Sequence, residues 1–264
     1  FYILHAMNNE RMDAMQKLDY KRFYAEAIAQ GKVRYPGFSF HDDAKAFLRI
    51  LHDWDQWGMC QVQMNILDDE NQATLEGIRE AGRRGVGVVV MEPLRGGLLA
   101  NPPVDVKAVY DAYAVQRSPV EWGFRYLYAM PEVITILSGM STWAQVTDNL
   151  RIFDMAKRPT LTDEELALYQ KVKATYLART KTRCTGCKYC QPCPMGVQIP
   201  RIFQGYDAAM LRADSSFKAG YAQIQADHAD ASQCIHCRKC ERACPQHLPI
   251  TRFLEEIHAA STAE

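Results

Sequence analysis

Apolar and polar positions follow one rhythm in the first part of the chain and another in the last. Up to about residue 160, short apolar runs rich in branched and aromatic side chains (Phe1–His5, Val33–Ser39, Met59–Asn65, Val86–Met91 and Val133–Leu137) alternate with longer stretches of helical period. Runs of that length and composition predict buried strands. The helical stretches have readable ends. Ser118 is placed as an N-cap with Pro119 at the first helical position and Glu121 at the third, and Thr142–Gln145 and Thr162–Glu165 read as capping boxes. Gly31 and Gly85 are placed to stop the helices before them. Strand followed by helix, five times over, predicts an α/β fold with a parallel sheet covered by helices. A doubly wound open sheet and an incomplete eightfold barrel both satisfy that pattern. No Gly-x-Gly-x-x-Gly follows a strand, so the nucleotide-binding open sheet has no positive signal.

From Arg158 the period becomes helical. Thr162–Ala178 predicts a helix with Leu166, Tyr169, Val172 and Tyr176 on one face, and Ile199–Leu211, Tyr221–Ala229 and Pro249–His258 predict three more. Residues 1–158, 159–180 and 181–264 therefore read as a strand–helix domain, a helical connector and a small helical domain. In the last lie two cysteine runs, Cys184-Thr-Gly-Cys187-Lys-Tyr-Cys190-Gln-Pro-Cys193-Pro194 and Cys234-Ile-His-Cys237-Arg-Lys-Cys240-Glu-Arg-Ala-Cys244-Pro245, which hold eight of the nine cysteines. Three thiols at steps of three followed by Cys-Pro is the thiolate pattern of a [4Fe-4S] cluster. In two-cluster proteins the fourth Cys serves the other cluster. One cluster is thus assigned to Cys184, Cys187, Cys190 and Cys244, and the other to Cys234, Cys237, Cys240 and Cys193. The first run has a final gap one residue shorter than usual. Four close thiols per run would crowd one tetrahedral zinc, which leaves a zinc-stabilised interaction domain as the weaker alternative. Cys193–Phe203 aligns without gaps on Cys244–Leu254, so the unit is duplicated. The roughly forty residues between the runs predict a mostly α-helical ferredoxin-type domain. His236 and His247 lie beside the clusters, and Lys188, Arg238, Lys239 and Arg242 crowd the same loops, where positive charge would suit an acidic redox partner. Cys60, inside a strand, reads as a small buried hydrophobe.

Charge and composition narrow the picture. The 264 residues carry 31 basic and 31 acidic side chains, which gives no reason to expect a nucleic-acid partner. Apolar runs fall short of a membrane span and no export signal is visible, so no membrane partner and a reducing, cytoplasmic location are expected. The chain opens on Phe1-Tyr-Ile-Leu-His5, without Met and within a strand pattern. It is expected to be a piece of a longer protein.

Several strand ends then resemble a known family. Tyr2–His5, Gly37–Ser39, Gln61–Asn65, Glu92–Leu99 and Gly139–Asn149 are similar, in order and spacing, to successive motifs of the aldo/keto reductases. Together with the cysteine runs, they resemble the subgroup with a carboxy-terminal four-iron dicluster domain. The resemblance implies a (β/α)8 TIM-type barrel, here about its last five βα units, with the active site at the carboxyl ends of the strands. It implies His5 as the catalytic residue that orients or polarises a substrate carbonyl. It also implies NAD(P)H held by Ser39 and Gln61 at the carboxamide, Leu94 along the pyrophosphate, and Gln145 and Asn149 at the adenosine end. Phe40, Met91, Gly139 and Gln145 depart from the family pattern, and the loss of basic groups at 139 and 145 favours NAD or a degenerate site. The family's Tyr, Lys and Asp fall outside this chain, which alone is expected to be inactive.

The combined expectation is an iron–sulfur oxidoreductase acting on a carbonyl-type small molecule, with a flavoprotein or ferredoxin as redox partner. A nicotinamide gives two electrons and clusters take one at a time, so a flavin on a partner, direct electron transfer to substrate, or structural clusters are the open routes. The alternative is a non-catalytic electron-transfer or docking subunit whose barrel is degenerate.

Overall fold

The computed structural model describes residues 1–154, 157–184, 186–244 and 246–263; Thr185 and Pro245 of the two cysteine runs lie outside the described residues. The chain divides into two compact units, residues 1–101 with 110–170, and residues 102–109 with 171–264.

In the first unit β1 (Tyr2–Met7), β2 (Pro36–Phe40), β3 (Met59–Gln63), β4 (Gly87–Met91) and β5 (Val133–Ile136) form one sheet, parallel throughout and in chain order. The connections hold α1 (Asn9–Lys17), α2 (Tyr20–Ala29), α3 (Ala44–Asp53), α4 (Thr74–Arg83) and α6 (Pro119–Tyr128), with α7 (Trp143–Phe153) after β5, while α5 (Val104–Asp111), between β4 and α6 in the chain, falls mostly in the second unit. A doubly wound sheet reverses its strand order at a switch point. Here the order never reverses, which is the arrangement of a barrel arc. The two faces of the sheet differ accordingly. Phe38, Phe40, Cys60, Val62, Val88, Val90 and Val133 are fully buried on one face, and the Phe38 and Phe40 rings pack on Phe47 of α3. Alternating with them on the other face are Gly37, Ser39, Gln61, Gln63, Gly87 and Met91, most of them only half-buried. Gly37 is required there, since a Cβ would lie 2.5 Å from the Met59 sulfur.

Local chemistry sets the element ends. Ser118 Oγ accepts the Glu121 N–H at 3.1 Å, and Thr142 and Gln145 form a reciprocal capping box. Gly31 and Gly85 take the left-handed conformation that closes α2 and α4. β2 starts at Pro36 rather than Val33 because the Val33 N–H still bonds the Ala27 carbonyl at the end of α2. β3 stops at Gln63 because Asn65 Oδ1 accepts the Leu67 and Asp68 N–H groups and turns the chain.

α8 (Asp163–Arg179) opens on the Thr162–Glu165 capping box. Tyr169, Val172 and Tyr176 are buried as the pattern predicts, but Leu166 is 45% exposed. Glu165 and Leu168 are buried instead, with Glu165 drawn in by a 2.5 Å bond from Arg117.

In the second unit, α9 (Ile199–Arg212), α10 (Ser216–Ala226), α11 (Lys239–Ala243) and α12 (Ile250–Thr262) enclose a core of Ile202, Phe203, Tyr221, Ile224, Leu254 and Ile257. Asp105 belongs to this unit through its carboxylate, which accepts two 2.8 Å bonds from Arg179. Among the described residues no helix is long and apolar enough to cross a membrane.

Arg158 closes the first unit. Its guanidinium donates to the carbonyls of Tyr128 (2.6 Å), Met130 (2.7 Å) and Val133 (2.9 Å) and lies 4.5 Å from the Tyr128 ring centre. Arg158→Ala is expected to destabilise this unit by about 2–3 kcal/mol, read as an earlier urea midpoint, and Arg158→Lys to recover only part of the loss because one ammonium cannot span three carbonyls.

Candidate metal centres and the strand-end site

The two cysteine runs fold alike. Left-handed residues recur at matching positions: Gly186 with His236, Lys188 with Arg238, and Gly196 with His247. After each fourth cysteine the chain makes the same turn, Gly196 N–H to the Cys193 carbonyl (3.0 Å) and His247 N–H to the Cys244 carbonyl (3.1 Å). Each turn leads into a helix, α9 from Ile199 and α12 from Ile250. The spacing slips by one between first and last matched positions because the first run has one residue fewer before its fourth cysteine; a turn containing a cis Gln191–Pro192 peptide replaces α11 there.

The duplication builds two cavities. Cys184, Cys187, Cys190 and Cys244 line the first, with Pro200, Phe203, Leu248 and Ile250. The second is lined by Cys234, Cys237, Cys240 and Cys193, with Thr251, Leu254, Val197 and Ile199. Each residue of one set is the duplicate of a residue in the other, and each cavity draws its fourth cysteine from the opposite run. Cys190 and Ile199 reach both cavities and so form their common wall. Six of the eight thiols belong to or pack on the apolar core; Cys187 and Cys237, the second in each run, stand outside it. Among the described residues no three Cys, His, Asp or Glu side chains converge on a point that would hold a single metal ion. Four sulfurs around a void suit a cubane, whereas zinc draws its sulfurs to about 2.3 Å from one centre.

Side chains on the two matched helices fix the approach to each run. Asp207 on α9, only 8% exposed, accepts bonds from the N–H groups of Lys181 (2.9 Å), Thr182 (3.1 Å) and Arg183 (2.7 Å) and from the Thr182 hydroxyl (2.7 Å). The segment before Cys184 is thereby anchored. His258 holds the corresponding place on α12. Its Nδ1 lies 2.8 Å from the Tyr221 hydroxyl, which accepts the Ala231 N–H at 3.2 Å just ahead of Cys234. Asp207, Tyr221 and His258 escaped the sequence reading. Extending the repeat beyond Arg201 and Arg252 into the helices would have paired Asp207 with His258.

One matched position in the cavity walls differs in polarity. Pro200 in the first corresponds to Thr251 in the second, whose N–H and hydroxyl both bond Glu241 Oε1, at 2.9 and 2.7 Å. Burial resists the Glu241 charge, but these bonds and nearby cations hold its carboxyl below the usual range. The thiols go the other way. Burial raises Cys184 and pushes Cys190 and Cys240 up to about 11, so without a bound cation these groups keep their protons at neutral pH.

The candidate residues of the barrel arc lie within the strands (His5, Ser39, Gln61), in the loop after β4 (Leu94) or on α7 (Gln145, Asn149). His5 in β1 is exposed. Ser39, buried in β2, accepts the Ala6 N–H at 2.7 Å and lies in register with Gln61 of β3, whose amide approaches the Met91 sulfur at 3.7 Å. Leu94, in the loop after β4, packs over Gly123, where a Cβ would come within 2.8 Å of it. Gln145 is committed to its cap, accepting the Ser141 and Thr142 N–H groups. Asn149 donates to Ser138 at 2.9 Å. Asn65 is structural, bonded to Asp68 and the Glu92 carbonyl. Phe40 faces the helices, so its departure from the family pattern changes packing against α3 and not the strand-end site.

An in-order parallel arc with a helical eight-thiol domain defines the class as a barrel-type redox protein with an iron–sulfur module. Comparison with known families agrees: the aldo/keto reductase family matches residues 10–174 and a 4Fe-4S dicluster domain matches residues 183–248. The chain belongs to the aldo/keto reductase family and carries a 4Fe-4S dicluster domain after it. Its family match begins downstream of His5. Among solved structures, the holo form of aldo-keto reductase AKR11C1 from Bacillus halodurans is similar at 25% identity and TM-score 0.53, over 65% of this chain and 57% of that one. The apo form of the same reductase gives 24% identity, TM-score 0.51, and coverage of 65% and 60%. The chain thus spans less than two thirds of the length of these relatives. A comparison with curated proteins found no match.

Two outcomes follow from the cysteine surroundings. Asp207→Ala should speed amide hydrogen exchange at Thr182 and Arg183 while Ala231 stays protected; equal protection in variant and parent would remove Asp207 from its anchoring role. For the metal-free protein the raised thiol pKa values fix a sign. As pH rises from about 9 to about 11 the unfolded chain releases thiol protons that the folded chain retains, so stability present below that window is lost across it. Urea midpoints measured across that range should fall, and Cys190→Ala with Cys240→Ala should flatten the fall.

Proposed function

We propose that this chain is the iron–sulfur-bearing portion of an oxidoreductase that moves electrons between a nicotinamide or other donor, two [4Fe-4S] clusters and a carbonyl-type small molecule. The observation that carries the reading is the pair of matched four-thiol cavities, each completed by a cysteine from the other run. Cys184, Cys187, Cys190 and Cys244 would hold one cluster, and Cys234, Cys237, Cys240 and Cys193 the other. Bound there, each cluster supplies single-electron transfer. The chain's own contribution is to desolvate the sulfurs against the core, anchor each run through Asp207 or His258, and keep water from the first cavity with Phe203, Leu248 and Ile250.

For the nicotinamide, Gln61 presents an amide that, among the described residues, bonds only the Met91 thioether, and the Ser39 hydroxyl accepts a bond without donating one among those residues. Both suit a carboxamide. Leu94 offers an apolar edge for the pyrophosphate, Asn149 a polar group at the adenosine end, and His5 a group exposed at the end of β1. Gln145 fits less well, since its oxygen is occupied by the cap. With Gly139 and Gln145 uncharged, the site favours NAD over NADP. Hydride carries two electrons, so a flavin on a partner protein would join it to single-electron carriers. The commitment of Gln145 and the thioether at Met91 favour a second reading, a non-catalytic electron-transfer or docking subunit.

Anaerobic purification of the full-length protein with iron and sulfide analysis tests the cofactor. About eight iron and eight sulfide per chain are expected, and NADH is expected to bleach the visible absorbance once a flavoprotein mediator is added; full iron without bleaching in the presence of that mediator supports the carrier reading, and zinc in place of iron rejects both. Cys244→Ser should remove the cluster of the Cys184 run and spare that of the Cys234 run, leaving about half the iron. Loss confined to the Cys234 run would overturn the crossed assignment.

A further inference from the structure

We propose that the face around the wider cavity, that of Cys193, Cys234, Cys237 and Cys240, docks a small acidic protein that carries electrons singly. This rests on the cluster reading above and adds the partner's chemistry and its place. Tyr189, Met195 and Ile235 line the mouth of that cavity and are 69%, 41% and 60% exposed. The other cavity is narrower and walled by Pro200, Phe203, Leu248, Ile250 and the buried Cys244, although Lys188 and the exposed Cys187 also line it.

Cations surround the apolar mouth. Arg238 and Lys239 line it, and Arg242 follows Lys239 by three positions on α11, on the same side of that helix. Lys188, the duplicate of Arg238, lines the other cavity. From Cys234 to Cys244 the three cations Arg238, Lys239 and Arg242 accompany one carboxylate, Glu241, which is bonded to Thr251 and 3.9 Å from Arg238 at its other oxygen, while Glu255 on α12 lies 3.5 Å from His236. Among the described residues Lys188, Lys239 and Arg242 make no ion pair. In a chain with 31 basic and 31 acidic residues, this is a local excess of positive charge. An apolar centre of Tyr, Met and Ile inside a rim of Arg and Lys is the composition of a protein interface, and its charge selects an acidic partner.

The iron-loaded full chain, kept anaerobic, is titrated by calorimetry with an acidic ferredoxin and, separately, an acidic flavodoxin, with iron measured on each sample. At least one should bind, and affinity should fall about tenfold or more between low and high salt. Lys239→Glu with Arg242→Glu should weaken binding about tenfold or more, and Ile235→Ser several-fold, with iron content unchanged. Arg212→Glu, at the end of α9, should leave affinity unaltered. Failure of both carriers to bind, or binding indifferent to the charge reversal, overturns the docking surface while the iron content still upholds the clusters. A chain that takes up no iron removes both.

Discussion

Two sulfur-lined cavities that exchange their fourth ligand are the constraint on which the small domain depends. Since Cys244 closes the cavity of the first run and Cys193 that of the second, neither run can complete a site without the other. The exchange brings the two turns together and leaves Cys190 and Ile199 as a shared wall. Everything else in the domain serves that geometry. α9 and α12 pack the same hydrophobic core from matched positions, and one polar residue on each, Asp207 or His258, anchors the chain that enters its own run. Small iron–sulfur domains have little apolar surface to bury, so metal–thiolate bonds are expected to contribute much of the folding free energy.

The barrel arc is organised by a different rule, the contrast between the two faces of its sheet. One face is continuous apolar packing from Phe38 to Val133. The other mixes Gly37, Gly87, Ser39, Gln61 and Gln63 with Met59, Val89 and Met91, a more polar and less tightly filled surface. Met91, the last residue of β4, lies on that second face opposite Gln63.

Some of this was legible in the sequence because local physics decides it. The caps at Ser118, Thr142 and Thr162 and the left-handed glycines at 31 and 85 depend on neighbours within a few residues, and they form where the pattern places them. The five strands were visible as apolar runs, although their ends shifted where Val33 and Asn65 spend their polar groups on turns. What sequence could not reach was long-range partnership. Leu166 faces outward because Arg117, some fifty positions earlier, draws Glu165 inward. Gln145 caps the start of its own helix and Asn149 donates to Ser138, partnerships that the family motif does not disclose. The grouping of the cysteines into two cavities depends on the fold of the whole domain, and only the repeat in spacing foreshadowed it.

The most direct test of the account is anomalous diffraction at the iron edge from anaerobically grown crystals. The account predicts two separate groups of iron, one bounded by Cys184, Cys187, Cys190 and Cys244 and the other by Cys234, Cys237, Cys240 and Cys193. A single metal position, or iron bounded by the four cysteines of one run alone, would contradict it.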